Sequence, residues 1–260
     1  MQSLKQAFIF CAGRGERMRP LSDTIPKPLV LIDKRPMVEH IIEKITEFGE
    51  IKKIIVNGFY LADKIENHLK NMHSYNARVI FSREPEKLET GGGLLFAKNL
   101  IDINQPLLLV NGDVIWRENF PLDISDLYEN FINNPCKIML GLTRTDKFEC
   151  YHGNGDFDFD PATLNLSKPK ENNNQKLPFT FTGLQIIDPK LLFQDVPESS
   201  LEGSDLKYFS MSYFYQNAIN ENGILEGIKG TELTGRYFHV GTISAIEEAE
   251  RKMRLDILRH

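Results

Sequence analysis

The first 113 residues contain four short apolar segments that alternate with segments of helical periodicity. The apolar segments are short and rich in aliphatic and β-branched residues, which is typical of buried strands. Residues 37–48 and 61–72, which lie between them, each place apolar side chains on one helical stripe. Continuous apolar strands separated by helices predict an α/β fold with a Rossmann-like, doubly wound sheet covered on both faces. The four segments are QAFIF, KKIIVNG, ARVIFS and PLLLVNGD.

The pattern changes in the second half of the chain. Residues 155–168, GDFDFDPATLNLSK, alternate polar and apolar side chains around a turn-like Asp-Pro-Ala-Thr, which predicts a β-hairpin. Residues 179–188 predict a further strand, and the charged segment 243–260 predicts a C-terminal helix. We therefore expect a mostly parallel mixed sheet with a small β extension. Because no repeat or low-complexity linker divides the chain, we expect a single domain over residues 1–260.

Composition limits the classes of partner. The chain has a formal net charge of −5 and no cluster of Lys and Arg, so we expect no nucleic-acid partner. Its three cysteines, Cys11, Cys136 and Cys150, show no metal-binding spacing and favour a reducing compartment. No apolar run approaches the roughly 18 residues that span a bilayer, and no signal peptide is recognisable. A cytoplasmic protein with no membrane partner is the expectation.

The loop after the first apolar segment, AGRGERMRPLSDTIPKPLV at residues 12–30, predicts phosphate binding. It lacks the spacing of a Walker loop. It also departs from the dinucleotide fingerprint, because Arg17 stands where the third glycine is required after Gly13 and Gly15. Glycine amides combined with fixed cations, here including Lys27, suit a loop that holds a triphosphate during reaction at its α-phosphorus. The alternative is a surface loop whose arginines are only solvated.

This loop resembles the signature of the sugar-1-phosphate nucleotidyltransferases, Gly-x-Gly-x-Arg-x-x-Pro-Leu followed by Pro-Lys-Pro. The resemblance implies a fold of the nucleotide-diphospho-sugar transferase type. It divides the domain into a nucleotide-binding half at residues 1–145, a sugar-binding half at residues 146–242 that contains the hairpin, and the C-terminal helix. It also implies catalytic roles for Arg17 and Lys27. The same loop would contact the nucleotide through Ala12, Gly13, Arg14 and Gly15.

A second motif, LETGGG at residues 88–93, resembles the family loop that recognises the nucleotide base. The resemblance implies nucleotide contacts by Glu89, Thr90 and Gly92. This form of the motif is similar to the branch that transfers uridylyl groups to N-acetylmuramate α-1-phosphate in peptidoglycan recycling, so UTP and that sugar phosphate are the expected substrates. Two alternatives stay open: a guanylyltransferase acting on mannose or heptose 1-phosphate, and a non-catalytic nucleotide-sugar binding protein.

The resemblance also implies a metal site and a sugar site. Asp113 follows the fourth apolar segment, where open α/β sheets bind ligands and the family keeps a magnesium-binding aspartate. His239 in RYFHVGT stands where the family commonly has a second aspartate. It would bind the ion directly or through water, or Asp113 and the nucleotide phosphates would hold the ion without it. We expect Mg²⁺ as the cofactor, with Mn²⁺ as an option because it accepts imidazole more readily. The expected sugar contacts come from Asn111, Gly183 and Lys168, and a monomer or homodimer is expected. The aromatic segment YFSMSYFY is assigned to core packing.

Overall fold

The computed structural model describes residues 3–72, 75–168, 176–194 and 208–257. The strands are β1 Gln6–Phe10, β2 Leu31–Ile32, β3 Arg35–Pro36, β4 Lys53–Gly58, β5 Arg78–Arg83, β6 Leu107–Asn111, β7 Val114–Trp116, β8 Ile138–Arg144, β9 Asp158–Asp160, β10 Asn165–Ser167, β11 Phe179–Ile187, β12 Ile224–Glu232 and β13 Tyr237–His239. The helices are α1 Met37–Glu47, α2 Ala62–Asn71, α3 Glu89–Phe96, α4 Phe120–Asn133, α5 Leu191–Gln194, α6 Ser212–Asn217 and α7 Ile243–Ile257.

A nine-stranded sheet runs through the molecule in the order β5-β4-β1-β6-β11-β8-β12-β10-β9. The strands of the N-terminal part, β5, β4, β1 and β6, pair in parallel. β11 pairs antiparallel with both β6 and β8, so β8 runs in the same direction as β6. The predicted mixed sheet is confirmed, and the carboxyl ends of β1, β6 and β8 meet at one edge.

Two apolar layers cover the two faces of this sheet. Alternate residues of β1 serve different layers: Ala7 and Ile9 pack with α1 and α4, whereas Phe8 packs with α3. The period of two in a strand requires this division, and it is the physical basis of a doubly wound fold. In α1, Ile41 is fully buried within the first layer. Truncating such a side chain typically costs about 2–5 kcal/mol of stability.

The glycine-rich segment differs from the loop that the sequence predicts. Residues from Glu89 onward form α3, although glycine is a poor helix former. Tertiary packing explains the difference, because a side chain at Gly91 would clash with the ring of Phe209, and one at Gly93 would clash with Glu84. Glycine at these positions therefore lets the helix approach β5 and the segment that precedes α6.

The C-terminal part of the chain packs against the long loop between β1 and α1. A third apolar cluster joins Met18 and Ile32 of that loop to Phe238 of β13 and Met253 of α7. The fully buried Asp123 of α4 accepts hydrogen bonds from the backbone amides of Thr234 and Gly235, at 2.7 and 2.9 Å, and from the Tyr237 hydroxyl. These contacts fix the strand that carries His239 against the loop that carries Arg17.

The predicted β extension is the hairpin β9–β10, which joins the sheet edge through β12. The predicted C-terminal helix spans Ile243–Ile257, and residues 258–260 of that prediction lie outside the described part of the chain. Within the described ranges, no helix is long and apolar enough to cross a membrane.

Candidate active site

The loop between β1 and α1 is shaped by Gly15. This glycine has a φ of +67°, a conformation that a side chain disfavours, and a Cβ there would lie 3.1 Å from the Cβ of Lys27. The Ser22 hydroxyl donates a 2.8 Å hydrogen bond to the Gly15 carbonyl and closes the turn. By contrast, Gly13 has no heavy atom within 4 Å of its Cβ position, so its backbone faces open space. The loop is thus tightly packed where Gly15 meets Lys27, and its backbone is accessible at Gly13.

Asp113 is the centre of a charged cluster at the carboxyl end of β6. The Lys27 ammonium lies 2.6 Å from its Oδ2, and the Nε2 of His239 lies 3.8 Å from the same oxygen. Burial alone would raise the pKa of Asp113, but Lys27, with smaller contributions from His239 and Arg17, lowers it below the usual value. The carboxylate is therefore charged at neutral pH and attracts cations.

Arg17 is positioned against the strand end that follows β13. A Cβ placed on Gly241 would lie 2.9 Å from the Arg17 Nη2 and 2.8 Å from the Cε1 of His239. The bare backbone of Gly241 is therefore what allows the guanidinium and the imidazole to lie side by side. The exposed Arg17 side chain is close enough to influence the pKa of both Asp113 and His239.

His239 lies in a half-buried aromatic environment. The rings of Phe148 and Tyr151 approach it edge-on, with centroid distances of 6.0 and 6.1 Å. Its backbone amide donates a 2.9 Å hydrogen bond to the Glu149 carbonyl. Burial lowers the pKa of His239, and this outweighs the opposing effect of Asp113. The imidazole is therefore neutral at neutral pH, which is the form that can ligate a metal.

A cavity of about 200 Å³ brings predicted site residues from four parts of the chain together. Gly183, at φ +82°, lies beside it, because a Cβ there would be 2.8 Å from the Cβ of Asn111. The conformation of Gly183 and the position of Asn111 are thus coupled. The lining residues are Phe10, Cys11, Gly13, Lys27, Pro28, Thr90, Asn111, Gly112 and Asp113.

The predicted base-recognising residues lie at the start of α3. The Thr90 hydroxyl accepts a 2.9 Å hydrogen bond from the Met211 amide, and the Gly92 amide donates to the Phe209 carbonyl at 2.9 Å. Glu89 pairs with Lys87 at 2.6 Å and accepts a 3.0 Å hydrogen bond from the hydroxyl of Tyr208. Tyr208 is 61% exposed, so assigning the whole aromatic segment to the core is wrong at this residue.

A buried polar chain behind the loop was not predicted from the sequence. The Asn57 side chain accepts a 2.6 Å hydrogen bond from the Cys11 amide and donates one of 2.6 Å to Glu84. Burial raises the pKa of Glu84 to about 7. Asn57 stands in the VNG segment at the end of β4, and only its polarity inside an apolar strand gave a signal.

Three other predicted residues need separate description. The guanidinium of Arg14 lies over the Tyr60 ring, 5.1 Å from its centroid. Ala12 is half-buried between Cys11 and Gly13. The Lys168 ammonium lies 4.9 Å from the centroid of Phe157, near the β9–β10 hairpin. Lys168 does not line the cavity at Asp113, so the structure does not bring it together with the other predicted residues.

The protein donors at the centre fit a divalent cation only in part. Asp113 offers a hard carboxylate oxygen and His239 a neutral imidazole, and in the described ranges no group of three or more His, Cys, Asp or Glu side chains is arranged to hold a metal. A six-coordinate ion such as Mg²⁺ would therefore need further oxygens from phosphate and water.

Comparison with known proteins shows the family to which the chain belongs. The profile of the nucleotidyl transferase family matches residues 6–153, which include the glycine-arginine loop and Asp113. The chain belongs to the nucleotidyl transferase family. The N-acetylmuramate α-1-phosphate uridylyltransferase of Neisseria meningitidis is 29% identical over 246 residues, covering 94% of this chain and 96% of the relative. The enzyme with that name from Caulobacter vibrioides is 26% identical over 255 residues, covering 97% and 98%.

Solved structures of low identity share the fold. HddC from Yersinia pseudotuberculosis in complex with GMP-PN superposes with a TM-score of 0.72 at 22% identity, covering 96% of this chain and 100% of that one. The predicted fold is thereby confirmed. The family match and the relatives above confirm the predicted enzyme class: this nucleotidyl transferase is a sugar-1-phosphate nucleotidyltransferase. The roles of the individual site residues and the division into residues 1–145 and 146–242 stay predictions.

Proposed function

We propose that the protein joins UTP and N-acetylmuramate α-1-phosphate to give the nucleotide sugar and pyrophosphate. One observation carries the choice of substrates: two relatives with that named activity match almost end to end, over 94% and 97% of this chain. The Glu-Thr-Gly-Gly-Gly sequence at residues 89–93 supports the same branch of the family.

The proposed chemistry is one displacement at phosphorus. A sugar phosphate oxygen attacks the α-phosphorus of the triphosphate in line. The bond between the α-phosphorus and the oxygen that bridges it to the β-phosphate breaks, and pyrophosphate leaves with that oxygen. Because the nucleophile is already an anion, no covalent enzyme intermediate is required, and the enzyme must align two anions and offset their repulsion. The substrates would meet in the cavity at Asp113, with the nucleotide along the open backbone of Gly13 and the sugar toward Asn111 and Gly183.

Two cations of this chain would offset the charge. The Arg17 guanidinium lies beside Gly241 and His239, and the Lys27 ammonium lies 2.6 Å from Asp113. Both come from the loop after β1 and face the carboxyl end of β6. Removing one fixed donor from such a site typically costs about 10²- to 10³-fold in rate.

Asp113 and His239 would hold a divalent cation together with phosphate oxygens. Members of this family generally use divalent metal ions, and Mg²⁺ is the proposed one. Such an ion would supply Lewis-acid stabilisation of phosphate charge. The lowered pKa of His239 keeps its imidazole neutral and able to ligate. The Lys27 ammonium at Asp113 supplies positive charge at the same carboxylate.

The test combines purified protein and Mg²⁺ with each pair of one of four nucleoside triphosphates and one of a set of sugar 1-phosphates. The rate of pyrophosphate release is measured for each pair. The proposal expects the highest kcat/KM with UTP and N-acetylmuramate α-1-phosphate. A higher value with GTP and mannose or heptose 1-phosphate would replace the proposed substrates. Binding of a nucleotide without pyrophosphate release from any pair would favour a non-catalytic binding protein and refute the proposal.

A further inference from the structure

A second cavity, of about 570 Å³, opens at the carboxyl end of β8. Because β8 runs in the direction of β6, this cavity lies at the same sheet edge as Asp113. Its lining includes Arg144, Tyr151, His152 and Lys176, together with Asp146. None of these residues contributes to the cavity that contains Asp113 and Lys27.

One aromatic side chain connects the second cavity with the reaction centre. Tyr151 lines the cavity, and its ring centroid lies 6.1 Å from that of His239. His239 in turn lies 3.8 Å from Asp113. His152 is close enough to influence the pKa of His239. A ligand whose phosphate is at Asp113 could therefore extend past His239 and Tyr151 into this cavity.

The charges of the second cavity have no evident role toward the 1-phosphate. Lys27 pairs with Asp113, and Arg17 is close enough to lower the pKa of Asp113. Arg144, His152 and Lys176 form a separate group of basic side chains. The Nε of Arg144 is 3.5 Å from Asp146 Oδ1, and the two side chains are 47% and 73% exposed, so this pairing is weak. Basic side chains collected in a cavity indicate a second anionic group on the ligand.

The backbone that carries Arg144 is hydrogen-bonded to the segment at residues 177–179. The Thr145 amide donates a 2.8 Å hydrogen bond to the Pro178 carbonyl, and its hydroxyl donates one of 2.8 Å to the Leu177 carbonyl. Arg144 pairs in register with Phe179 of β11, and its guanidinium lies 5.9 Å from the Phe179 ring centroid. The planar guanidinium of an arginine can present two parallel N–H donors to one carboxylate.

We infer that the second cavity receives a carboxylate of the sugar acceptor and that Arg144 is its principal ligand, with Lys176 and His152 beside it. The acceptor is then an acidic sugar 1-phosphate. In N-acetylmuramate the group would be the lactyl ether carboxylate, which N-acetylglucosamine lacks. This inference rests on the proposed function and adds a determinant of acceptor specificity to it.

The experiment compares two acceptors, N-acetylmuramate α-1-phosphate and N-acetylglucosamine α-1-phosphate, with UTP and Mg²⁺. Arg144→Met should raise KM for the acidic acceptor about tenfold or more, as expected for loss of a charge-assisted hydrogen bond. It should leave the kinetics with the neutral acceptor within about twofold, and Arg144→Lys should restore part of the loss. If the neutral acceptor is not turned over, its inhibition constant replaces KM.

Lys147→Met is the matched control, because Lys147 is an exposed cation three residues further along that does not line the cavity. It should leave both acceptors unchanged, and unchanged thermal melting of all variants excludes a folding defect. Equal losses of Arg144→Met on both acceptors, or no loss on either, would overturn the inference and leave the proposed function standing. Absence of turnover of the acidic acceptor by the wild-type protein would instead overturn the proposed function, and this inference with it.

Discussion

The buried carboxyl group of Glu84 makes stability depend on pH in a direction that can be worked out. Its side chain is 3% exposed, and burial raises its pKa from 4.5 to about 7. The folded state therefore binds more protons than the unfolded chain as pH rises above 4.5. This contribution to stability is present at low pH and is lost as the pH rises through 7.

The magnitude follows from linkage. With about 1.36 kcal/mol per pKa unit, this group alone should remove about 2–3 kcal/mol from the free energy of unfolding between pH 5 and 8. Glu84→Gln keeps an oxygen that can accept the Asn57 hydrogen bond but does not titrate. Between pH 5 and 8, the stability of the variant should therefore rise relative to wild type by about that amount.

Urea denaturation followed by circular dichroism at several pH values between 5 and 8 measures this difference. Glu86→Gln is the matched control, because Glu86 is an exposed carboxyl group two residues away. The control should follow the wild-type pH dependence, since both proteins retain Glu84. Parallel pH profiles of wild type and Glu84→Gln would refute the reasoning that desolvation keeps this group protonated.

Three further changes test the arrangement of the site and the core. Gly241→Ala should lower kcat/KM at least tenfold with little change in melting temperature, because its Cβ would displace Arg17 and His239. A misplacement of about 1 Å in an active site can cost about 10²-fold in rate. Unchanged kinetics would contradict this packing. Lys27→Met should reduce kcat about 10²- to 10³-fold. It should also raise the pKa of Asp113, which carbon NMR of the carboxyl group can follow. An unshifted pKa would be inconsistent with the 2.6 Å ion pair. Ile41→Ala should lower the free energy of unfolding by about 2–5 kcal/mol in urea, because Ile41 is fully buried; a loss well below this range would argue against close packing of α1 on the sheet.

The parts that the sequence predicted correctly depend on local signals. The apolar segments that became β1, β4, β5 and β6 carry their strand character in consecutive residues. Asp113 could be assigned to the sheet edge because a parallel strand presents its carboxyl end to the ligand side. The loop from Gly13 to Lys27 was identifiable because its glycines and cations lie within one short stretch.

The parts that the sequence did not predict depend on contacts between distant residues. The start of α3 follows from the packing of Phe209 and Glu84 against its glycines, which overrides the weak helix propensity of glycine. The hydrogen bond between Tyr208 and Glu89 joins residues 119 positions apart. A sugar contact by Lys168 stays a prediction, and in the structure its ammonium lies 4.9 Å from the ring centroid of Phe157.

The central claim is that the loop after β1 promotes reaction of a triphosphate and that Arg17 supplies positive charge for this reaction. Two nearby arginines of the loop provide its most direct test. Arg17 lies against Gly241 beside His239, whereas Arg19 forms an exposed 3.2 Å ion pair with Asp23 in the same loop. Pyrophosphate release from UTP and N-acetylmuramate α-1-phosphate should fall about 10²- to 10³-fold in Arg17→Ala. It should stay within about twofold of wild type in Arg19→Ala, since a surface ion pair contributes little. Near-normal turnover by a folded Arg17→Ala protein, or equal losses in the two variants, would contradict the account.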